Sequence, residues 1–135
     1  MMRLLWLFCC TLWLYGGEYV VIVNASSPIE KLTAPQIKKI FLKRKRYWQE
    51  LPLSPVNLPP QNSVRMTFES QVLHMEREGL NRYWVKQHYK GRRPPYVFQS
   101  PRSVLRFVQK VKGAVGYVPK ELADKRVKVV YGFSS

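Results

Sequence analysis

The chain is poor in acidic residues, in histidine and in cysteine. Eight Asp and Glu stand against 23 Lys and Arg, leaving a formal net charge of +15. Asp124 is the only aspartate, His74 and His88 the only histidines, and Cys9 and Cys10 the only cysteines. After residue 17 there is no thiol at all, which excludes disulfides, thiolate catalysis and cysteine-held metals from the rest of the chain. No His-Glu-x-x-His, Gly-x-Ser-x-Gly or Gly-Lys-Ser/Thr phosphate-loop pattern occurs. His74 and Glu78 are four apart and would share a helix face, but with no third ligand in view a surface ion pair is the better reading. Glu76 and Glu78, two apart, do not face each other on a helix and so make no acid–base pair. The sequence therefore predicts neither catalysis nor a cofactor.

What is present is enough for one domain with a core. The chain has 135 residues, 46 % hydrophobic and 13 % aromatic, with ten prolines against seven glycines. Met1-Met2-Arg3 precedes an apolar run from Leu4 to Tyr15, then Gly16-Gly17 and Glu18. A charged start, a short apolar stretch and small residues behind it match a cleavable secretory signal, and the run is too short to span a bilayer. A buried N-terminal helix is the plainer alternative. Bulky Leu7-Phe8 before the cysteines argues against a lipid anchor. The expected organisation is a signal peptide over 1–17 and a single domain over 18–135, in the periplasm or secreted.

An exported protein this basic meets anions. The candidates are phosphate or another small oxyanion, an acidic envelope protein, or an anionic lipid surface. Nucleic acid has the right charge but is opposed by the export signal. The Lys43-Arg44-Lys45-Arg46 run reads as the solvated end of a helix rather than a nuclear-targeting patch. With Arg92, Arg93, Lys90, Arg102 and Arg106 it forms the candidate basic interaction surface.

The periodicity predicts strands alternating with helices, an α/β layered domain. Tyr19–Val23 reads as a buried strand. Thr33, Pro35 and Gln36 form a helix start with a capping box, and Ile37, Ile40 and Phe41 share its inner face. Pro55–Leu58 suggests a short strand. A helix from Ser63 has Val64, Phe68, Val72 and Met75 inside and Arg65, Glu69, Glu76 and Arg77 mostly outside. A second helix, about 80–88, carries Tyr83, Trp84 and His88, with its aromatics expected in the core. Tyr96–Phe98, a helix capped by Ser100-Pro101 and ended by Gly113, a strand at 114–118 and a last strand at 127–131 complete the series.

One helix start has the makings of an anion site. Gln61-Asn62-Ser63 leads into a helix whose first amides are unpaired, so Asn62, Ser63, Val64 and Arg65 could meet an oxyanion with backbone N–H groups, a hydroxyl and a guanidinium. The plainer reading is that Ser63 caps its own helix.

The order of these signals is similar to the second lobe of bacterial periplasmic phosphate-binding proteins, the class II solute-binding proteins of ABC importers. The residues that carry the likeness are Val23-Asn24-Ala25-Ser26-Ser27-Pro28, Leu32-Thr33, Ile37 to Leu42, Trp48, Phe107-Val108-Gln109 and Gly113-Ala114-Val115-Gly116-Tyr117-Val118. The resemblance runs from about Tyr19 to Val118. It implies one periplasmic-binding-protein-like lobe, a mixed β-sheet flanked by helices, with a transport-type binding role and no enzymatic one. The family's phosphate loop, Arg-x-Asp-Gly-Ser-Gly-Thr, survives only at Ser63; Pro59, Gln61, Asn62, Val64 and Arg65 fill its other places. Lys43 stands where the family has a glycine. The chain has length for one lobe where the family closes two, so the resemblance implies at most weak phosphate binding, or an interaction module that has lost its ligand.

Overall fold

A computed structural model of the chain describes residues 17–135. The signal-peptide segment thus lies outside the described residues except for Gly17. Five consecutive apolar-to-polar positions, Val20 to Asn24, are buried in strand β1 (Glu18–Asn24). A strand covered on both faces reads as such an unbroken run rather than an alternating one. Helix α1 (Ala34–Phe41) begins with the predicted capping box. The Gln36 amide donates to Thr33 Oγ1 at 3.3 Å, and the Thr33 amide donates to Gln36 Oε1 at 2.8 Å. Its buried side chains are Ile37, Ile40 and Phe41.

The chain turns sharply after α1. Leu42 caps the helix and Lys43 takes a left-handed φ of 58°. The amides of Lys43, Arg44 and Lys45 fold back onto the carbonyls of Ile40 and Lys39. The Lys43–Arg46 run therefore lies beyond the helix and wraps its end, instead of forming its last turn as the sequence suggested. Left-handed backbone costs an L-residue roughly 1–2 kcal/mol that glycine avoids, less the extra chain entropy glycine loses. Lys43→Gly is expected to stabilise the fold by about 0.5–1 kcal/mol, read as a higher urea midpoint at unchanged m-value.

A small hairpin follows, β2 (Tyr47–Trp48) against β3 (Leu51–Pro52), then β4 (Ser54–Asn57). Helix α2 (Ser63–Phe68) runs directly into one π-helical turn (Glu69–Leu73), which His74 ends with a left-handed φ of 51°. Helix α3 (Arg77–Tyr89) starts earlier than its aromatic stripe indicated; Tyr83 and Trp84 are half-buried, but His88 is exposed. Strand β5 (Tyr96–Val97), helix α4 (Pro101–Lys110), strand β6 (Ala114–Pro119), a 3-10 turn (Lys120–Leu122) and β7 (Val127–Ser134) complete the chain. α4 starts at the predicted Ser100 cap, whose Oγ accepts from the Ser103 amide, and ends at Lys110, before Gly113.

Five strands form one sheet in the order β5-β4-β6-β1-β7. β4 runs parallel to both β5 and β6, while β1 is antiparallel to β6 and β7, so the sheet is mixed. Helices cover it. α4 buries Val104, Leu105 and Val108 close to β6, where a Cβ on Gly116 would lie 2.6 Å from Val104 Cγ1. The Asn24 side-chain amide ties β1 to the end of α4 by donating to the carbonyls of Val108 and Gln109. On the other side Phe68 stacks on Tyr117 with centroids 4.0 Å apart, and Phe41 meets Phe68 edge-on at 4.8 Å. A bulge between Val21 and Ile22 and the facing β7 shifts the register, so Val127 and Val130 are buried while Val129 is exposed. Gly17 and Ser135, the limits of the described segment, meet: the Gly17 amide donates to Ser135 Oγ at 2.7 Å and the Ser135 amide donates to the Gly17 carbonyl.

Candidate functional site

The site begins where β4 leaves the sheet. Tyr117, fully buried on β6, donates its hydroxyl to Asn57 Oδ1 at 2.8 Å and accepts from the Leu58 amide at 3.2 Å. Burial pushes this phenol well above its ordinary range, so it stays a neutral donor that fixes the end of β4. The Pro59–Gln61 segment then enters α2.

Asn62, not Ser63, is the cap of α2. Its Oδ1 accepts from the Val64 amide at 2.8 Å, which removes that N–H from the anion site. Ser63 occupies the first helical position with its side chain exposed. The Met66 amide donates to the Asn62 carbonyl. Among the described residues, the Ser63 and Arg65 amides have no such partner and are the open donors of this turn. The four candidates thus converge on one helix start, with their donors unevenly free.

The Arg65 side chain is committed inward. Its Nη1 donates to the Leu58 carbonyl at 2.9 Å and its Nε to Glu69 Oε2 at 2.8 Å. Arg77, at the start of α3, adds Nη2 contacts to both oxygens of Glu69 at 2.7 Å. Glu69, expected on the outside, is therefore buried, with a side chain only 8 % exposed between two guanidiniums. No spacing signal could show this, because Arg77 reaches it from the next helix after the left-handed break at His74. The same break takes His74 off the helix of Glu78, and no ion pair joins them among the described residues. Nor do three or more His, Cys, Asp or Glu side chains there gather as a metal site.

Two hollows flank the Arg65–Glu69–Arg77 cluster. One, about 610 Å³, is lined by Pro60, Gln61, Met66, Met75 and Arg77 among others. The second, about 260 Å³, lies between Asn57, Pro60, Arg65, Arg77, Trp84 and Val97.

The basic residues are scattered by comparison. Arg44 sits 5.2 Å from the Tyr83 ring and Lys45 is 5.3 Å from the Trp48 ring, so both spend part of their charge on aromatic faces. Lys43 is half-buried, and that burial, helped by Arg46, lowers its ammonium below the usual range. Arg46 and Arg93 are exposed; Arg92, also exposed, touches Gln87 Oε1 at 3.3 Å.

A mixed sheet covered by helices, with a helix start at the end of β4, is the architecture of one lobe of a periplasmic solute-binding protein. Solved structures bear this out. The chain is similar to an ABC-type phosphate transport receptor from Vibrio cholerae, with a TM-score of 0.69 and 19 % identity over 87 % of this chain and 46 % of that one. PstS from Borrelia burgdorferi aligns with a TM-score of 0.65 and 12 % identity, over 85 % of this chain and 47 % of its own. A Clostridium perfringens protein with bound phosphate, assigned provisionally as a phosphate ABC transporter substrate-binding protein, gives a TM-score of 0.70 at 19 % identity, over 85 % and 44 %. This chain thus spans less than half the length of each. No family model and no curated protein sequence matches it. The fold is that of a phosphate-binding-protein lobe, and the neighbours in structure are transport proteins.

Proposed function

We propose that the chain is an exported, non-enzymatic solute-binding-type lobe that meets phosphate or a similar oxyanion weakly at the first turn of α2. The observation that carries this reading is the pair of open amides, Ser63 and Arg65, beside the exposed Ser63 hydroxyl at the start of a helix in a lobe of this fold. An anion there faces water on one side, and each hydrogen bond nets only about 0.5–1.5 kcal/mol. Calorimetric titration with inorganic phosphate should therefore give a dissociation constant on the order of millimolar. Ser63→Pro is the sharpest probe. Proline is tolerated at the first helical position, and Asn62 already has the extended backbone that must precede it (φ −70°, ψ 130°). The change removes one amide and one hydroxyl without breaking α2, and phosphate affinity should fall about tenfold. Absence of saturable heat with the native chain, or equal affinity in Ser63→Pro, overturns the reading.

A second reading is favoured by the commitment of Arg65 to Glu69 and to the Leu58 carbonyl, which leaves the loop without a free clamp. In it the lobe is a docking module for an anionic envelope partner, met through cations such as Arg44, Arg46, Arg92 and Arg93. Its binding would weaken steeply with salt and be indifferent to Ser63→Pro.

A further inference from the structure

Within that second reading, the surface beside α3 is more specific than its charge. Asn81, Trp84, Val85 and His88 recur at helical spacing on α3 and, with Tyr89 and Pro94, line a hollow of about 410 Å³. Asn81, Trp84 and Pro94 also line the 260 Å³ hollow beside Arg65 and Arg77, so the two adjoin as one groove. The groove opens to solvent through apolar side chains: Tyr89 is 85 % exposed and Val85 58 %. At its edge runs β5, the outermost strand of the sheet, with Tyr96 75 % exposed. Exposed aromatic and aliphatic side chains on an edge strand and an adjoining helix are an unusual liability for a monomer unless something covers them.

The charge around the groove says what that something is. From Gly79 to Pro119 the chain carries nine Lys and Arg and no Asp or Glu. Arg82 and Lys86 form the next stripe of α3, and Lys90, Arg92 and Arg93 crowd the turn leading to Pro94. Glu76 and Glu78 stand at the Arg77 end of α3, Glu69 is spent between Arg65 and Arg77, and no acid lines the hollow of Trp84, Val85, Tyr89 and Pro94. A second copy, with a net charge of +15, is repelled from this face. A flat anionic surface would answer the cations but make no use of the shallow hollow between Trp84, Tyr89 and Pro94.

We infer that the α3–β5 groove docks an acidic polypeptide segment that inserts a bulky apolar side chain between Trp84, Val85, Tyr89 and Pro94 while its carboxylates meet Arg82, Lys86 and the Lys90–Arg93 turn. The aromatic walls supply the affinity and the cations the encounter rate and the choice of partner. The inference rests on the docking reading and stands or falls independently of phosphate at α2.

The test is selection of a random peptide display library on the immobilised full-length domain, followed by anisotropy measurements on a peptide made to the enriched pattern. The expected pattern combines several Asp or Glu with one Trp, Phe or Leu. Its binding should fall at least about tenfold in Val85→Ser/Tyr89→Ser, two exposed positions whose change leaves the core intact, and again on replacing its apolar residue by serine. Lys86→Glu should weaken it and flatten its salt dependence. The inference is overturned by an unenriched pool, by equal binding to the Val85→Ser/Tyr89→Ser protein, or by a pattern without acids. It is overturned equally if the domain pairs with itself through this face in sedimentation. Binding of vesicles of 30 mol % phosphatidylglycerol in phosphatidylcholine through Val85 and Tyr89, with no peptide enriched, likewise assigns the face to a membrane and overturns it.

Discussion

Glu69→Ala is expected to cost about 2–4 kcal/mol of folding stability, because it leaves the buried Arg65 guanidinium without its carboxylate and frees the half-exposed Arg77. Arg65 sits on the Leu58 carbonyl as well as on Glu69, so the loss reaches the end of β4 and the start of α2 together. The carboxylate is also a small oxyanion held between two arginines at the foot of the proposed phosphate turn. Removing it leaves space and positive charge for a replacement. Acetate or phosphate in the buffer should therefore raise the melting temperature of Glu69→Ala more than that of the native protein, since a ligand that binds only the folded state stabilises it by mass action. Thermal melts in chloride, acetate and phosphate at equal ionic strength make the comparison. Equal responses of the two proteins would show that the clamp collapses without its acid.

The second large effect is expected at Gly113. A Cβ there would lie 1.9 Å from the Pro52 carbonyl oxygen, and the Gly113 carbonyl itself accepts from the Ser54 amide at 2.8 Å. Both contacts are backbone, so no rotamer change relieves the overlap, and β3 must move off the start of β6. Gly113→Ala should lose about 3–5 kcal/mol or fail to fold. Gly116→Ala is the informative control. Its closest clash, 2.6 Å, is with Val104 Cγ1, a side chain of α4 rather than backbone, so a small shift of the helix off the sheet can relieve it, and about 1–3 kcal/mol is expected. Urea unfolding of both variants checks the order; a milder Gly113→Ala would mean that the β3–β6 approach gives way easily.

What the sequence made legible was whatever has a local cause. The Thr33–Gln36 capping box, the Ser100 cap and the buried runs of β1 and β6 each declare themselves within a few residues, and the structure has them all. The inner face of α4 followed from spacing alone. The β2–β3 hairpin did not: Tyr47-Trp48 and Leu51-Pro52 are short pieces broken by Gln49-Glu50 and proline, without the unbroken Tyr96-Val97-Phe98 run that marked β5. The α2 region failed for a more instructive reason. Val64, Phe68 and Val72 do recur as read, but the π turn widens the helix at Glu69 and His74 breaks it. A charged residue in a helical pattern is assigned to solvent unless its partner is in view, and Arg77 comes into view only after the fold has closed. The same closure committed the Arg65 side chain to Glu69 and the Leu58 carbonyl, leaving only its amide facing the turn, and Asn62 rather than Ser63 caps the helix. Lys43, where the resembled family has glycine, takes a left-handed backbone that nothing in its own side chain would have indicated.

The pairing of Gly17 with Ser135 has a geometric corollary for anything fused or tethered to this domain. Both attachment points sit on the β1–β7 margin, whereas β5 forms the far margin, roughly 20 Å away across four strand spacings. A leash at either terminus would hold the domain by its back and leave the aromatic front pointing outward.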